Sequence, residues 1–391
     1  MGQGAALRGR RVAVAVAVAV AVAVGGAVAV AHAPPPPRPT HKTTPNPPPQ
    51  QTLGPNTAWV IDLCIFLQCF AACIVYQGII GDMLMSLLGL TGLVPASLLT
   101  RMNCIVGATA SVMLPLSLPS DLSFLSFTSL LGAVAVLYTS VFVGLRAFDG
   151  SYAVGGALAA AAPVAPAFLN APTWACSAKA FVLVSNLGLS FVAHYNAPRY
   201  FNELEENTEA RWGALVRSSF GILSLVYAFT MLCGHATFGD SSKSNILLNY
   251  AENDVLAIGA RVASAVSILF GFPLCSCGMI DSLQSVARSK GLGAVGGASA
   301  RPVVAALLIA ATMVLSIIFV DIGLVVGVAG ALIGSFLVYI APPVISLLAQ
   351  KGLPPAEKFG KAEMYVVHLL PIMGVALAAL GVTMTCKEYL G

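Results

Sequence analysis

Nine apolar runs follow one another from Trp59 to the end of the chain, and each is about as long as a membrane is thick. Roughly 20 apolar residues cross about 30 Å of hydrocarbon as an α-helix. Helices are required there because no water is available to satisfy the backbone groups. The runs therefore predict an all-α, polytopic membrane protein with about nine transmembrane helices. The runs lie near 59–88, 101–119, 124–146, 177–194, 214–236, 254–280, 302–321, 323–348 and 364–386.

The low content of charged residues also points to a membrane. Hydrophobic residues make up 58% of the 391 residues and charged residues only 9%, whereas a soluble domain carries about 25% charged residues. The net charge of +4 is small and scattered, which argues against a nucleic-acid partner. No metal-ligand spacing and no G-x-S-x-G, H-E-x-x-H or paired-acid arrangement occurs, so we expect neither an enzyme nor a bound cofactor.

The first 58 residues differ from the rest of the chain. Valine and alanine alternate from Val12 to Ala31 after a basic start, and a proline-rich tract runs from Pro34 to Pro55. The alternating block can be a low-complexity extension, a spanning helix or a signal peptide. We expect residues 1–58 to form a disordered low-complexity tail, because the proline tract has few donors and nothing apolar to bury. The transmembrane domain is then expected over 59–391.

Several segments resemble the amino acid/auxin permease family, which includes neutral amino acid transporters of animals and yeast vacuolar amino acid transporters. The end of that family's sixth helix is similar to FVAHYNAPRYFNEL at 191–204. The loop between its seventh and eighth helices is similar to the stretch from Thr237 to Tyr250, and the eighth helix fits Arg261 and the Phe-Pro-Leu sequence at 272–274. These segments occur in the family's order over about 59–391.

The resemblance implies a LeuT-like bundle of two inverted five-helix repeats with a midplane substrate site at broken helices. The N-termini of broken helices offer free N–H groups and positive dipole ends to a substrate carboxylate. The matching segments begin at the family's third helix, so we expect a bundle that is N-terminally incomplete and lacks the first two helices. Because the family's broken first helix forms much of the substrate site, we expect this chain to transport poorly.

Polar side chains inside two of the apolar runs are candidates for a substrate or ion site. Their side chains can hold substrate or Na⁺, as the resemblance implies for the eighth helix, or the hydroxyls can bond the carbonyl four residues back in their own helix. Both interpretations stay open. Lipid offers polar groups no partner, so we expect the two helices to face each other with Asn186 and Ser264 turned inward. The candidates are Ser185, Asn186, Ser190, Ser264 and Ser267.

Candidates for a cytosolic gate lie where the run at 177–194 meets a polar loop. His194 can change its charge near physiological pH, and Glu203, four residues beyond Arg199, can pair with it on a helical turn. The alternative is an interfacial histidine bonded to nearby backbone, beside an exposed ion pair worth only about 0.3–0.5 kcal/mol.

These features favour secondary active transport of amino acids by alternating access, coupled to Na⁺ or H⁺. The alternative is a non-transporting, receptor-like or partner-binding membrane protein of the same fold. The expected partners are a small amino acid and the lipid bilayer. A vacuolar or lysosomal membrane and the plasma membrane fit these features equally well.

The distribution of basic residues in the loops generates a prediction about topology. Nine lysines and arginines lie on the side where the first run begins and six on the other, which favours a cytosolic start. We expect the loop at 195–211 to be cytosolic and the loop at 240–250 to lie on the opposite side. Single cysteines placed in the two loops of protein in sealed vesicles should react with an impermeant thiol reagent from opposite sides. Equal access to both loops from one side would refute the assignment.

Overall fold

The computed structural model describes residues 58–92, 94–119, 126–167, 180–192, 200, 201, 204, 206, 208–350 and 359–389. Within these ranges the chain consists of helices joined by loops and contains no β-strand. The main helices, numbered in chain order, are α1 (Ala58–Thr91), α2 (101–117), α3 (Ser126–Phe148), α4 (Ala180–Ser190), α5 (Glu209–Phe238), α6 (Val255–Ser289), α7 (Arg301–Ile318), α8 (322–349) and α9 (Lys361–Tyr389).

The helices coincide with the nine predicted runs, and the all-α class is confirmed. Seven helices of the described residues (all except α2 and α4) are long and apolar enough to cross a membrane, judged by length and composition. α4 is shorter than its predicted run, with 11 residues, and the first three and last two residues of that run lie outside the described part. The tail predicted over 1–58 also lies outside it, apart from Ala58 at the start of α1.

Side-chain caps begin several of the helices, among them α2 and α8. The Thr100 hydroxyl accepts a hydrogen bond from the Asn103 N–H at 3.2 Å as α2 begins, and the Asp321 carboxylate accepts one from the Gly323 N–H at 2.9 Å as α8 begins. Such caps satisfy N–H groups of the first turn that have no partner within the helix. Each cap therefore fixes the residue at which the apolar helix that follows it begins.

Large apolar side chains are exposed along several helices. Leu225 on α5, Leu307 on α7 and Ile372 on α9 are each about two-thirds exposed. Water would make such surfaces unfavourable, because monomeric soluble proteins rarely expose large contiguous apolar patches. Lipid contact accounts for them at no such penalty.

Two compact units divide the described residues. One consists of residues 76–167 and 213–274, and the other of residues 58–75, 180–212 and 275–389. α1 and α6 each contribute residues to both units.

In the first unit, a buried carboxylate joins the start of α6 to the end of α3. The Asp254 side chain is 0% exposed and accepts two hydrogen bonds from the Arg146 guanidinium, at 2.6 and 2.9 Å. Tyr152 Oη donates to it at 3.1 Å, and the Leu256 N–H donates at 3.0 Å. A bidentate pair of this kind fixes orientation as well as charge. It ties together segments that are 108 residues apart in the chain.

Four aromatic rings pack against one another beside this pair. Phe142, Tyr152, Phe238 and Tyr250 are all buried, and their contacting ring centroids lie 4.5 to 5.8 Å apart. Edge-to-face contacts at these distances are favourable. Burial raises the pKa of Tyr152 and of Tyr250 above the usual range. Tyr152 therefore keeps, at physiological pH, the proton that it donates to Asp254.

We expect Asp254→Asn to lower the free energy of unfolding by about 1.5–3 kcal/mol, because it weakens buried hydrogen bonds to a charged group and leaves Arg146 only the more exposed Asp149 as an ionic partner. Chemical or thermal unfolding of the purified protein in detergent measures this change. Asp149→Asn is the matched control: Asp149 pairs with the same Arg146 at 2.6 Å, but its side chain is 32% exposed. The control should lose less than about 1 kcal/mol, and equal losses in the two variants would contradict the assigned role of Asp254.

Candidate functional site

α4, a short apolar helix of the second unit, carries three of the predicted site residues. Ser185 is buried, and its hydroxyl donates to the Phe181 carbonyl at 2.8 Å. Ser190 is exposed, and its hydroxyl donates to the Asn186 carbonyl at 2.9 Å. Both hydroxyls thus bond the carbonyl four residues back, which satisfies them within their own helix. Neither needs a ligand to be satisfied.

Asn186 differs from the two serines on α4. Its side-chain oxygen is buried and has no hydrogen-bond partner among the described residues. A buried acceptor without a partner costs about 1–3 kcal/mol, and the penalty is not offset by helix formation. An amide retained at such a position in an apolar helix is suited to bind a ligand that is present only part of the time.

Glycines allow two other helices to approach α4 closely. A Cβ atom on Gly330 of α8 would meet the Ser185 carbonyl, and one on Gly381 of α9 would meet the Ser185 hydroxyl. A Cβ on Gly334 would lie 3.3 Å from the Gly188 carbonyl carbon. In lipid the hydrophobic effect does not drive helices together. Small residues favour helix packing there because they permit close van der Waals contact. The packing holds Ser185, and with it the neighbouring Asn186, in place.

The backbone of α8 is irregular where it touches α4. π-helical turns cover Gly330–Gly334 and Phe336–Ile340, and such turns occur frequently at functional sites. Sequence reasoning did not single out these glycines, although Gly330 and Gly334 form a G-x-x-x-G pattern inside an apolar run, which is a signal for close helix packing.

Ser264 and Ser267, the other predicted pair, lie on α6 in the first unit. Both are half-buried, and neither hydroxyl forms a hydrogen bond within the part of the chain that the structure describes. A Cβ atom on Gly132 of α3 would lie 3.2 Å from Ser267 Oγ, so this hydroxyl faces α3. Unlike the hydroxyls of the serines on α4, these two hydroxyls do not bond a main-chain carbonyl of their own helix.

The remaining predictions about the site stay predictions. Asn186 and Ser264 belong to different compact units, so their expected arrangement across the protein interior is not tested. The gate candidates His194, Arg199 and Glu203 lie outside the described residues.

The sequence did not lead us to predict that two charged residues of the first unit are buried and bind other segments of the chain. Asp254 directly precedes the apolar residue Val255, which is the sequence signal for a helix cap. Arg261, by contrast, is 1% exposed, and its Nη2 donates to the carbonyls of Leu247 at 2.9 Å and Tyr250 at 2.8 Å. An arginine among apolar residues signals a buried partner, but its binding to main-chain carbonyls of a loop has no local sequence signature.

Comparisons with known proteins give a consistent result. A family model described as "Transmembrane amino acid transporter protein" matches residues 31–387. Sodium-coupled neutral amino acid transporter 7 of Homo sapiens is 26% identical over 342 residues, which cover 84% of this chain and 70% of that protein. Solute carrier family 38 member 8 of Homo sapiens is 24% identical over 315 residues, which cover 77% of this chain and 70% of that protein.

We expect Gly330→Ala to destabilise the second unit by about 1–3 kcal/mol, because the added methyl group meets the Ser185 carbonyl and forces the helices apart. Unfolding of the purified protein in detergent measures the change. Gly221→Ala on α5 is the matched control, since a Cβ there meets nothing within 4 Å. The control should be neutral or up to about 1 kcal/mol more stable, because alanine favours the helix over glycine. A Gly330→Ala variant as stable as the control would show that the close approach is not required.

Proposed function

The chain belongs to the transmembrane amino acid transporter protein family, and on this basis we propose that it carries neutral amino acids across a membrane by sodium-coupled secondary active transport. The observation that carries the proposal is the continuous family match over 31–387, together with relatives that are sodium-coupled neutral amino acid transporters by name.

Family membership confirms the coarser predictions. The chain is a multi-pass integral membrane protein and an amino acid transporter rather than an enzyme, and its substrate is a small amino acid. It also favours transport over the receptor-like alternative.

The proposed substrate half-site lies on α4 around Asn186. A substrate amino acid needs hydrogen bonds to its carboxylate and its ammonium group, since both lose their water at the membrane midplane. The Asn186 amide can accept from an ammonium group and donate to a carboxylate. Its buried, unpartnered oxygen supports the assignment. The close packing around Ser185 holds the neighbouring Asn186 in a fixed position, as a binding site requires.

The proposed sodium ligands are Ser264 and Ser267 on α6. Hard cations take oxygen ligands, and hydroxyls that bond to no other group are available for this role. The two residues are three apart and so lie on one face of α6. Ser185 and Ser190, although predicted for the same site, are already hydrogen-bonded within α4, and we assign them a supporting role. His194, Arg199 and Glu203 remain the proposed cytosolic gate.

Reconstituted protein tests the function directly. Proteoliposomes should accumulate labelled alanine or glutamine in a saturable way when an inward Na⁺ gradient is imposed, and should not do so with equal Na⁺ on both sides. Uptake driven by a proton gradient alone would assign H⁺ as the coupling ion. Specific binding without uptake above protein-free liposomes would favour the receptor-like alternative. The saturation curve from the same assay also tests the expectation of weak transport.

We expect Asn186→Ala to reduce sodium-driven uptake at least about tenfold at low substrate concentration, because a hydrogen bond to a charged group contributes about 1.5–3 kcal/mol. Its melting temperature should be unchanged or higher, since the amide oxygen has no partner among the described residues. Ser218→Ala on α5 is the control, because Ser218 is exposed and its hydroxyl bonds the Leu215 carbonyl of its own helix. Equal uptake by the two variants would remove Asn186 from the site.

A further inference from the structure

A cavity of about 290 Å³ lies within the first unit, and its lining includes none of Asn186, Ser264 and Ser267. The end of α1, the start of α6 and three connecting segments form its walls. This is the end of α1 that the distribution of basic residues places away from the cytosol. The volume lies at the lower edge of the range for ligand pockets, about 300–1,000 Å³, and so suits a small ligand.

Charged groups of both signs line this cavity. Asp82 and Glu252 contribute carboxylates, and Arg261 contributes a guanidinium. Asp82 is held by Arg101 Nε at 2.7 Å, whereas Glu252 is exposed and forms no ion pair within the described ranges. The lining therefore carries two carboxylates, one of them outside any ion pair of the described residues, and one guanidinium.

Two polar groups on the lining lack partners. Ser86 Oγ and Arg261 Nε are buried and have no hydrogen-bond partner among the described residues. Arg261 is 1% exposed, and the two loop carbonyls that its Nη2 binds hold it in place. Glu252 interacts electrostatically with this guanidinium, but the Nε–H has no acceptor in the described part of the chain, and a buried donor without a partner is energetically costly. The remaining lining includes the apolar side chains of Leu99 and Leu248.

We propose that this cavity is a second binding site for a zwitterionic amino acid with a small aliphatic side chain. The ammonium group lies towards Glu252 and Asp82, and the carboxylate takes its hydrogen bond from Ser86 and lies in the positive field of Arg261. The aliphatic side chain packs against Leu99 and Leu248. The site goes beyond the proposed function, because it holds an amino acid at residues other than Asn186, Ser264 and Ser267 and requires neither sodium nor transport.

Protection of an introduced thiol tests the proposal on the full chain in detergent, where no gradient is needed. The variant Leu99→Cys places a thiol on the cavity wall. Leu98→Cys is its matched control, because Leu98 is the neighbouring residue, is 58% exposed and does not line the cavity. The rate of N-ethylmaleimide modification at each position is read from the labelled peptide by mass spectrometry, which separates it from reaction at native cysteines.

We expect saturating L-leucine to slow modification of Leu99→Cys several-fold and to leave Leu98→Cys unchanged. Isopentylamine, which lacks the carboxylate, and 4-methylpentanoate, which lacks the ammonium group, should each protect much less. Adding Glu252→Gln should raise the half-protecting leucine concentration about tenfold, through loss of a charge-assisted hydrogen bond. Adding Asp240→Asn should not, since Asp240 is an exposed acid of the same unit outside the cavity.

Several outcomes overturn the proposal. These are no protection by leucine, equal protection by isopentylamine, and protection by sodium chloride alone at constant ionic strength. Loss of protection when Asn186→Ala is added would also overturn it, because leucine would then be acting from the transport site. Protection without any uptake in proteoliposomes would instead refute the proposed transport and leave this second site standing.

Discussion

The membrane interior offers polar groups no water, and this constraint governs both the fold and the site. Each N–H, hydroxyl and charge placed there must find a partner within the protein. Asp254 finds Arg146 and Tyr152, and Arg261 finds the main-chain carbonyls of a loop. These bonds connect segments that are distant in the chain, so they determine which helix ends meet within the first unit.

The same constraint gives meaning to the groups that have no partner. Ser185 and Ser190 meet the requirement through their own helix and need nothing further. Asn186, Ser86 and the Nε of Arg261 do not meet it among the described residues. A chain of mainly apolar helices tolerates such groups at a few kcal/mol each. A zwitterionic substrate that binds these groups supplies the missing hydrogen bonds and so offsets the penalty.

Sequence reasoning located the helices well because the length of an apolar run is a local property. The run at 254–280 becomes α6, and a capping aspartate marks its start. It identified Asn186 and Ser264 as candidates because a polar residue in an apolar run is visible in the sequence. It could not separate the satisfied Ser185 from the half-buried Ser267, because both have a helix carbonyl four residues back and only the side-chain rotamer decides whether the hydroxyl bonds it. The pairing of Arg146 with Asp254 across 108 residues was likewise beyond local patterns.

Alternating access requires that the half-site on α4 be reached from both sides of the membrane, although not at the same time. The most direct measurement is the rate at which an impermeant thiol reagent, applied from the inside or from the outside of sealed vesicles, modifies Ser190→Cys, an exposed position one helical turn from Asn186. The account predicts reaction from either side, with both rates lowered by a neutral amino acid and sodium together. A thiol that reacts from neither side, or from both at rates that substrate and sodium leave unchanged, would contradict it.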